Sequence, residues 1–269
     1  MIINHNMMAM NAHRSLGINS GGMAKSTEKL GSGLRINRAG DDAAGLSISE
    51  KMRGQIRGLN QASRNAQDSI SLIQTAEGAL DETHSILQRM RELAVQSAND
   101  TNVSADRTSI QDEITQLEAE VNRIATTTEF NTQNLLGGTF SGVFHVGANA
   151  GQNMTLTIAT MNAAALSING ISVTSQGAAN TAVSTINAAI TTVSSTRSKL
   201  GAIQNRLEHT IKNLDNAAEN FQASESRVRD VDMAKEMSEF TKKNILSQAS
   251  QAMLAQANQL PQQVLQLLR

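Results

Sequence analysis

Cysteine, tryptophan and tyrosine are absent from this chain, and 269 residues hold only 1 proline and 5 phenylalanines. Without cysteine there is no disulfide framework and no thiol nucleophile. A core without tryptophan or tyrosine has to be built from Leu, Ile, Val, Met and Ala, which suits helices packed along a seam better than a thick aromatic interior. Charge is also in short supply: 17% of residues are charged and the formal net charge is −1, so neither nucleic acid nor an anionic membrane is an expected partner. No window reaches the ~18 consecutive apolar residues of a membrane-spanning helix. The opening residues lack a basic region ahead of a sustained apolar core, so they do not read as a cleavable secretory signal. A chain that leaves the cell with this start would have to use another route.

What is present is a seven-residue period. Met52, Leu59, Ala66, Ile73, Leu80, Leu87 and Ala94 recur at every seventh position, with Ala62, Ala76 and Met90 beside them. This is the spacing of a helix packed lengthwise on other helices, here predicted from Asp42 to about Asn99. Asp41 is the expected N-cap and Asp42 the first-turn acid. Such a helix would run ~85 Å, whereas a compact chain of this length has a radius of gyration of about 18 Å. The fold class expected is therefore mainly α, an elongated antiparallel helical rod with coiled-coil-like packing and a small β-hairpin segment.

The rest of the chain supplies partners for that helix. Ile186, Val193, Leu200, Leu207, Leu214, Phe221 and Val228 repeat the seven-residue line, interrupted by polar Arg197 and Gln204. A shorter helix, with Ser104 as expected N-cap, carries Ile110, Ile114, Leu117, Val121 and Ile124. The candidate rod core is Met52, Leu59, Ile73, Leu80, Leu87, Leu200, Leu207, Leu214 and Phe221. Between Phe130 and Gly177 the helical period fails, and alternation at 143–146 and 154–158 predicts a hairpin at about 140–175, with 168–173 as a third strand.

Both ends carry a thinner line. Leu16, Met23 and Leu30 near the start, and Leu246, Met253, Leu260 and Leu267 near the finish, give about one large apolar residue per heptad. Isolated helices with so little apolar surface are marginal, so each needs a partner and the two should pair antiparallel. These seven residues are the candidate assembly positions. The expected organisation is residues 1–40 and 231–269 as paired terminal helices and 41–230 as the rod. Pro261 should kink the last helix or end it at Leu260.

Catalytic and metal chemistry find little support. His5, His13, His84, His145 and His209 are scattered without helical pairing, and a metal site needs several converging ligands. Gly31-Ser32-Gly33 lacks the lysine and remaining glycines of a phosphate loop and reads as a helix terminator. No convergent catalytic set can be named, so the chain reads as a non-enzyme without cofactors.

Four stretches together resemble bacterial flagellin. Gly33-Leu34-Arg35-Ile36-Asn37 with Asp41-Asp42-Ala43-Ala44-Gly45-Leu46 is similar to the family's connector, and Gln88-Arg89-Met90-Arg91-Glu92-Leu93-Ala94-Val95-Gln96 to its mid-helix signature. Leu200-Gly201-Ala202-Ile203-Gln204-Asn205-Arg206-Leu207-Glu208 and Ala252-Met253-Leu254-Ala255-Gln256-Ala257-Asn258-Gln259 follow in the family's order. The match covers about residues 1–140 and 180–269, and several long motifs in fixed order are far more specific than one short pattern. Gly31, Arg38 and Gly40 depart from the Ser, Ser and Lys more usual in that connector, and only the hairpin segment stands where the family often has a large outer region.

The resemblance implies a secreted, extracellular subunit of the flagellar filament that serves swimming motility. It would be exported unfolded through the flagellum's own secretion apparatus with a chaperone, and would assemble with itself beneath the filament cap and beyond the hook-junction proteins. It also implies terminal helices lining an inner tube and the rod forming an outer tube. In family members sensed by an animal Toll-like receptor, the matching contacts fall here on Arg89, Leu93 and Glu113. Leu93, just off the heptad line, is expected to face outward, and the same residues would serve subunit contacts. The alternatives are a hook–filament junction protein, a relative with similar ends, and an intracellular coiled-coil signalling rod. The hairpin and the thin-seamed termini argue against the signalling rod.

Overall fold

The computed structural model describes residues 6–138 and 140–267, with side chains described as far as residue 259. Five helices dominate: α1 (Met7–Ser32), α2 (Ala43–Ser97), α3 (Ser104–Thr127), α4 (Gln176–Arg229) and α5 (Met233–Leu267). Four short strands form two antiparallel pairs, β1 (Glu129–Phe130) with β2 (Gln133–Asn134) and β3 (Phe140–His145) with β4 (Asn153–Ile158). The chain divides into two compact units. One holds residues 1–54 and 220–269, the other residues 55–219.

The second unit owes its core to the seven-residue lines. Ile73, Leu80 and Leu87 of α2 and Leu200 and Leu207 of α4 are buried, as are Leu59 and Leu214. Arg197, the polar interruption of the α4 line, reaches across to Asp81 at 2.8 Å and Glu77 at 3.9 Å. Ser63 donates to Asp215 at 3.0 Å. As numbers rise on α2 they fall on α4, so these helices are antiparallel.

Helix α3 folds back on α2 through a turn held by Arg107. Its guanidinium donates to the Ser97 carbonyl at 3.1 Å and the Asn99 carbonyl at 3.3 Å, satisfying acceptors that α2 leaves open at its C-terminus. Ile110, Ile114 and Val121 are buried against the same core. The N-cap of α3 is Val103, one residue before the expected Ser104, and the Asp106 carboxylate accepts from the Val103 N–H at 3.2 Å.

The hairpin forms where alternation predicted it, pairing Phe140 with Ile158 through to His145 with Asn153. The inner face of β4, Met154, Leu156 and Ile158, is buried. Residues 168–173 do not form the expected strand. Ile168, Ile171 and Val173 are buried, yet their backbone is held by side chains rather than by a ladder. Gln111 of α3 donates to the Ile171 carbonyl at 2.8 Å and accepts from the Val173 N–H at 2.7 Å. Ser97 donates to the Val173 carbonyl at 2.6 Å, and Glu118 accepts from the Gly170 N–H at 3.0 Å. Apolar alternation alone does not distinguish such a clamped segment from a strand.

In the first unit, Asn6 starts α1 by accepting from the Ala9 N–H at 3.1 Å, and Gly33 ends it in the left-handed conformation, φ 72°, that favours glycine. The connector then runs alongside the chain leaving α4: Arg35 N–H donates to the Arg229 carbonyl at 2.7 Å and Val231 N–H to the Gly33 carbonyl at 3.0 Å. Ile36 is buried beneath this bridge. Asp42, rather than Asp41, caps α2, accepting from the Gly45 N–H at 2.8 Å. Asp41 instead closes the connector, accepting from the Asn37 and Arg38 N–H groups at 3.3 and 3.1 Å. Adjacent aspartates can each serve as a cap, and the tight turn at 37–41 claims the first. Ser49 of α2 is buried and donates to Glu225 of α4 at 2.9 Å, while Met52 and Phe221 are half-buried.

Candidate assembly surfaces

Helices α1 and α5 lie antiparallel, tied by Asn6 to the Ala257 carbonyl at 2.7 Å, Asn19 to Ser250 at 3.4 Å and Lys243 to Ser26 at 3.1 Å. The residues buried between them are small: Ala12, Ser26, Ser247, Ser250 and Ala257. Many large apolar side chains are left exposed around this seam. Met7, Met8, Met10 and Ile18 of α1 and Met233, Met237, Ile245, Leu246 and Met253 of α5 are all exposed, Met253 by 56%.

Of the candidate assembly positions, Leu16, Met23 and Leu30 are half-buried and Leu246 and Met253 exposed. Leu260 and Leu267 lie in α5, with side chains outside the described residues. The helix continues past Pro261, so it does not stop at Leu260. Sequence reading found the large residues and passed over the seam itself, because Ala12, Asn19, Ser26 and Lys243, Ser250, Ala257 carry the same seven-residue spacing without hydrophobicity.

A second surface lies on the 55–219 unit. Arg89 of α2 donates through Nε to Glu113 of α3 at 3.0 Å and through Nη1 to Glu92 at 3.2 Å. Hydrogen bonds to Glu113 first, then Glu92, hold its pKa above the ordinary arginine value. All three side chains are largely exposed. Leu93, expected to face outward, is only 2% exposed. The heptad rule assumes one packing partner, whereas the core cluster that includes Leu93 draws on α3, α4 and the 161–173 segment as well as α2.

Among the described residues no group of three or more His, Cys, Asp or Glu could hold a metal ion. No helix among them is long and apolar enough to cross a membrane.

The model of the bacterial flagellin N-terminal helical region matches residues 3–141, and that of the bacterial flagellin C-terminal helical region matches residues 183–268. The chain belongs to the bacterial flagellin family. A flagellin of Halalkalibacterium halodurans is 64% identical over the whole of both chains, and a flagellin of Bacillus subtilis 56% identical over the whole of both. The crystal structure of a Bacillus cereus flagellin is similar with a TM-score of 0.50 at 30% identity, over 56% of this chain and 88% of that one. Family membership gives the chain a non-enzymatic, structural role.

Proposed function

We propose that the chain is a structural subunit of the bacterial flagellar filament, secreted and extracellular, polymerising with itself to serve motility. The observation that carries the mechanism is the terminal pair, which keeps small and polar residues inside and leaves methionine, isoleucine and leucine outside. Contiguous exposed apolar surface of this kind marks a protein interface. In an open helical polymer the contacts are heterologous, so each copy would set this face against a different face of its neighbour. We assign Leu16, Met23, Leu30, Leu246, Met253, Leu260 and Leu267 to this assembly role. Residues 1–40 and 231–269 would form the inner tube and 41–230 the outer one, a division supported by the connector bridge between residues 33–35 and 229–231.

The proposal extends to further partners: an export chaperone and the secretion apparatus before assembly, and the filament cap and hook-junction proteins at the ends. An animal Toll-like receptor would meet Arg89 and Glu113, whose exposure supports this reading. The deciding experiment is electron microscopy of the purified chain after salting out. Helical tubes are the expected result, and dispersed particles of fixed size would overturn the filament reading.

A further inference from the structure

The polar pairs inside the α1–α5 seam have no obvious reason to be there if pairing strength were their purpose. Asn19 and Lys243 are half-buried, Ser26 and Ser250 almost wholly so, and leucine in such a seam would bury far more apolar surface. What polar seam residues provide is register. A seam of alanine and serine slides easily, because shifting it by one heptad sets alanine against serine at little cost. A slip of one heptad breaks both observed cross-seam bonds, Asn19 to Ser250 and Lys243 to Ser26.

Three features converge on one alignment. The series Ala12, Asn19, Ser26 faces the series Ala257, Ser250, Lys243, each stepping by seven. Lys243 donates to the Gly22 carbonyl at 3.4 Å as well as to Ser26. A Cβ at Gly22 would stand 3.1 Å from Lys243 Cδ, so the glycine leaves room for the lysine stem where it now lies. Outside the seam, alignment decides what the surface looks like. Met8 of α1 and Met253 of α5 share the lining of a groove of about 450 Å³, and Met10 with Leu254 share a second of about 530 Å³. A slip of one heptad, ~10.5 Å along the helix, would separate each of these pairs.

We infer that Asn19 and Lys243 are register-determining residues: their bonds to Ser250 and Ser26 fix the axial alignment of α1 on α5 and so create the composite grooves that assembly uses. This rests on the filament reading only for the grooves' use, since register is measured independently of polymerisation.

Because the chain has no cysteine, introduced pairs report without background. Full-length chain carrying Ala12→Cys with Ala257→Cys reports the observed register, and Ala12→Cys with Val264→Cys, which leaves both cross-seam bonds in place, reports a one-heptad slip. Each is oxidised in dilute solution and the intrachain disulfide scored on a non-reducing gel. With Asn19 and Lys243 intact, closure should favour the first pair at least tenfold. With Asn19→Ala and Lys243→Met, that preference should fall to within about twofold, and polymerisation should drop with it. Exchanging the partners, Asn19→Ser with Ser250→Asn, should restore assembly and, scored with Ala12→Cys and Ala257→Cys, the native closure. Retention of the tenfold preference in the Asn19→Ala, Lys243→Met chain would overturn the inference. Failure of both pairs to close there would overturn it too, since the residues would then hold the helices together rather than align them. Native register with failed polymerisation would leave the filament reading intact and remove this one.

Discussion

Arg89 of α2 and Glu113 of α3 are joined by two contacts from the same guanidinium, Nε at 3.0 Å and Nη2 at 2.9 Å from Glu113 Oε1. Exposed pairs of this kind contribute little to stability, typically below ~1 kcal/mol. The proposed role of the pair is therefore as a presented surface. Arg89→Ala should leave thermal unfolding nearly unchanged while weakening both receptor binding by monomer and filament assembly. On the proposed reading, in which subunit contacts would cover the same surface, monomer should bind the receptor and filament should not. An unchanged dissociation constant for Arg89→Ala monomer would remove the receptor role.

Two of the backbone groups at 171–173 are held by the side-chain amide of Gln111. Gln111→Ala would leave the Ile171 carbonyl and the Val173 N–H without their partners. The expected loss is about 1–3 kcal/mol, the usual cost of leaving buried polar groups unpaired. With no tryptophan or tyrosine to follow, far-ultraviolet circular dichroism during urea unfolding is the practical measurement. A midpoint equal to that of the unaltered chain would show that the clamp is dispensable.

Leu80 is wholly buried in the core of the 55–219 unit. Leu80→Ala should cost roughly 2–5 kcal/mol, the transfer loss plus the cavity left behind. Amide exchange should show the loss throughout that unit's helices rather than in one turn.

The ends should behave differently. Their seam buries Ala and Ser side chains, so brief proteolysis of monomer is expected to trim the first ~40 and last ~40 residues and spare the rest, as local stability there is low. Removing residues 260–269 should abolish polymerisation without reducing the helicity of the 55–219 unit, since each large apolar side chain lost forfeits roughly 1.5–3 kcal/mol of potential burial. Equal protection of ends and centre, or filaments of normal length from the truncated chain, would contradict this.

Asp41 closes the connector as a carboxylate. The Arg38 N–H is the main cause holding its pKa below the ordinary aspartate value, with Asn37, Lys25 and Lys29 adding to it against some desolvation. A depressed folded pKa means a contribution fully present above the ordinary aspartate range and lost as pH falls through the lower, folded value. Exchange protection at the Asn37 and Arg38 amides should therefore fall on acidification, and Asp41→Asn should already show the weaker protection at neutral pH. Protection indifferent to both would rule the carboxylate out as the closing group.

The helices and most of the core were legible because seven-residue spacing survives any choice of apolar residue. Ile73, Leu80, Leu87, Leu200 and Leu207 could be named from it alone. The hairpin was legible too, since alternation at 154–158 matches the buried face of β4. Residues 168–173 misled because alternation reports which side chains are buried and says nothing of what binds the backbone. Leu93 misled because it belongs to a core shared by α2, α3, α4 and the 161–173 segment, which a single-partner heptad does not represent. The cap moved from Asp41 to Asp42 because two adjacent acids had two turns to serve. Least visible was the α1–α5 seam, whose Ala, Asn, Ser and Lys have periodicity without hydrophobicity.

The outward methionines of the terminal pair also set a temperature scale. Burying apolar surface on association carries a negative heat-capacity change, so the free energy of adding a subunit is curved in temperature. The driving force weakens on cooling, because apolar hydration is an entropic penalty that fades in the cold. The subunit concentration needed to sustain polymer should therefore pass through a minimum and rise on both sides of it. A filament held together by Met7, Met8, Met10, Ile245 and Met253 would have a working range of temperature, with its lower limit set by water rather than by the protein.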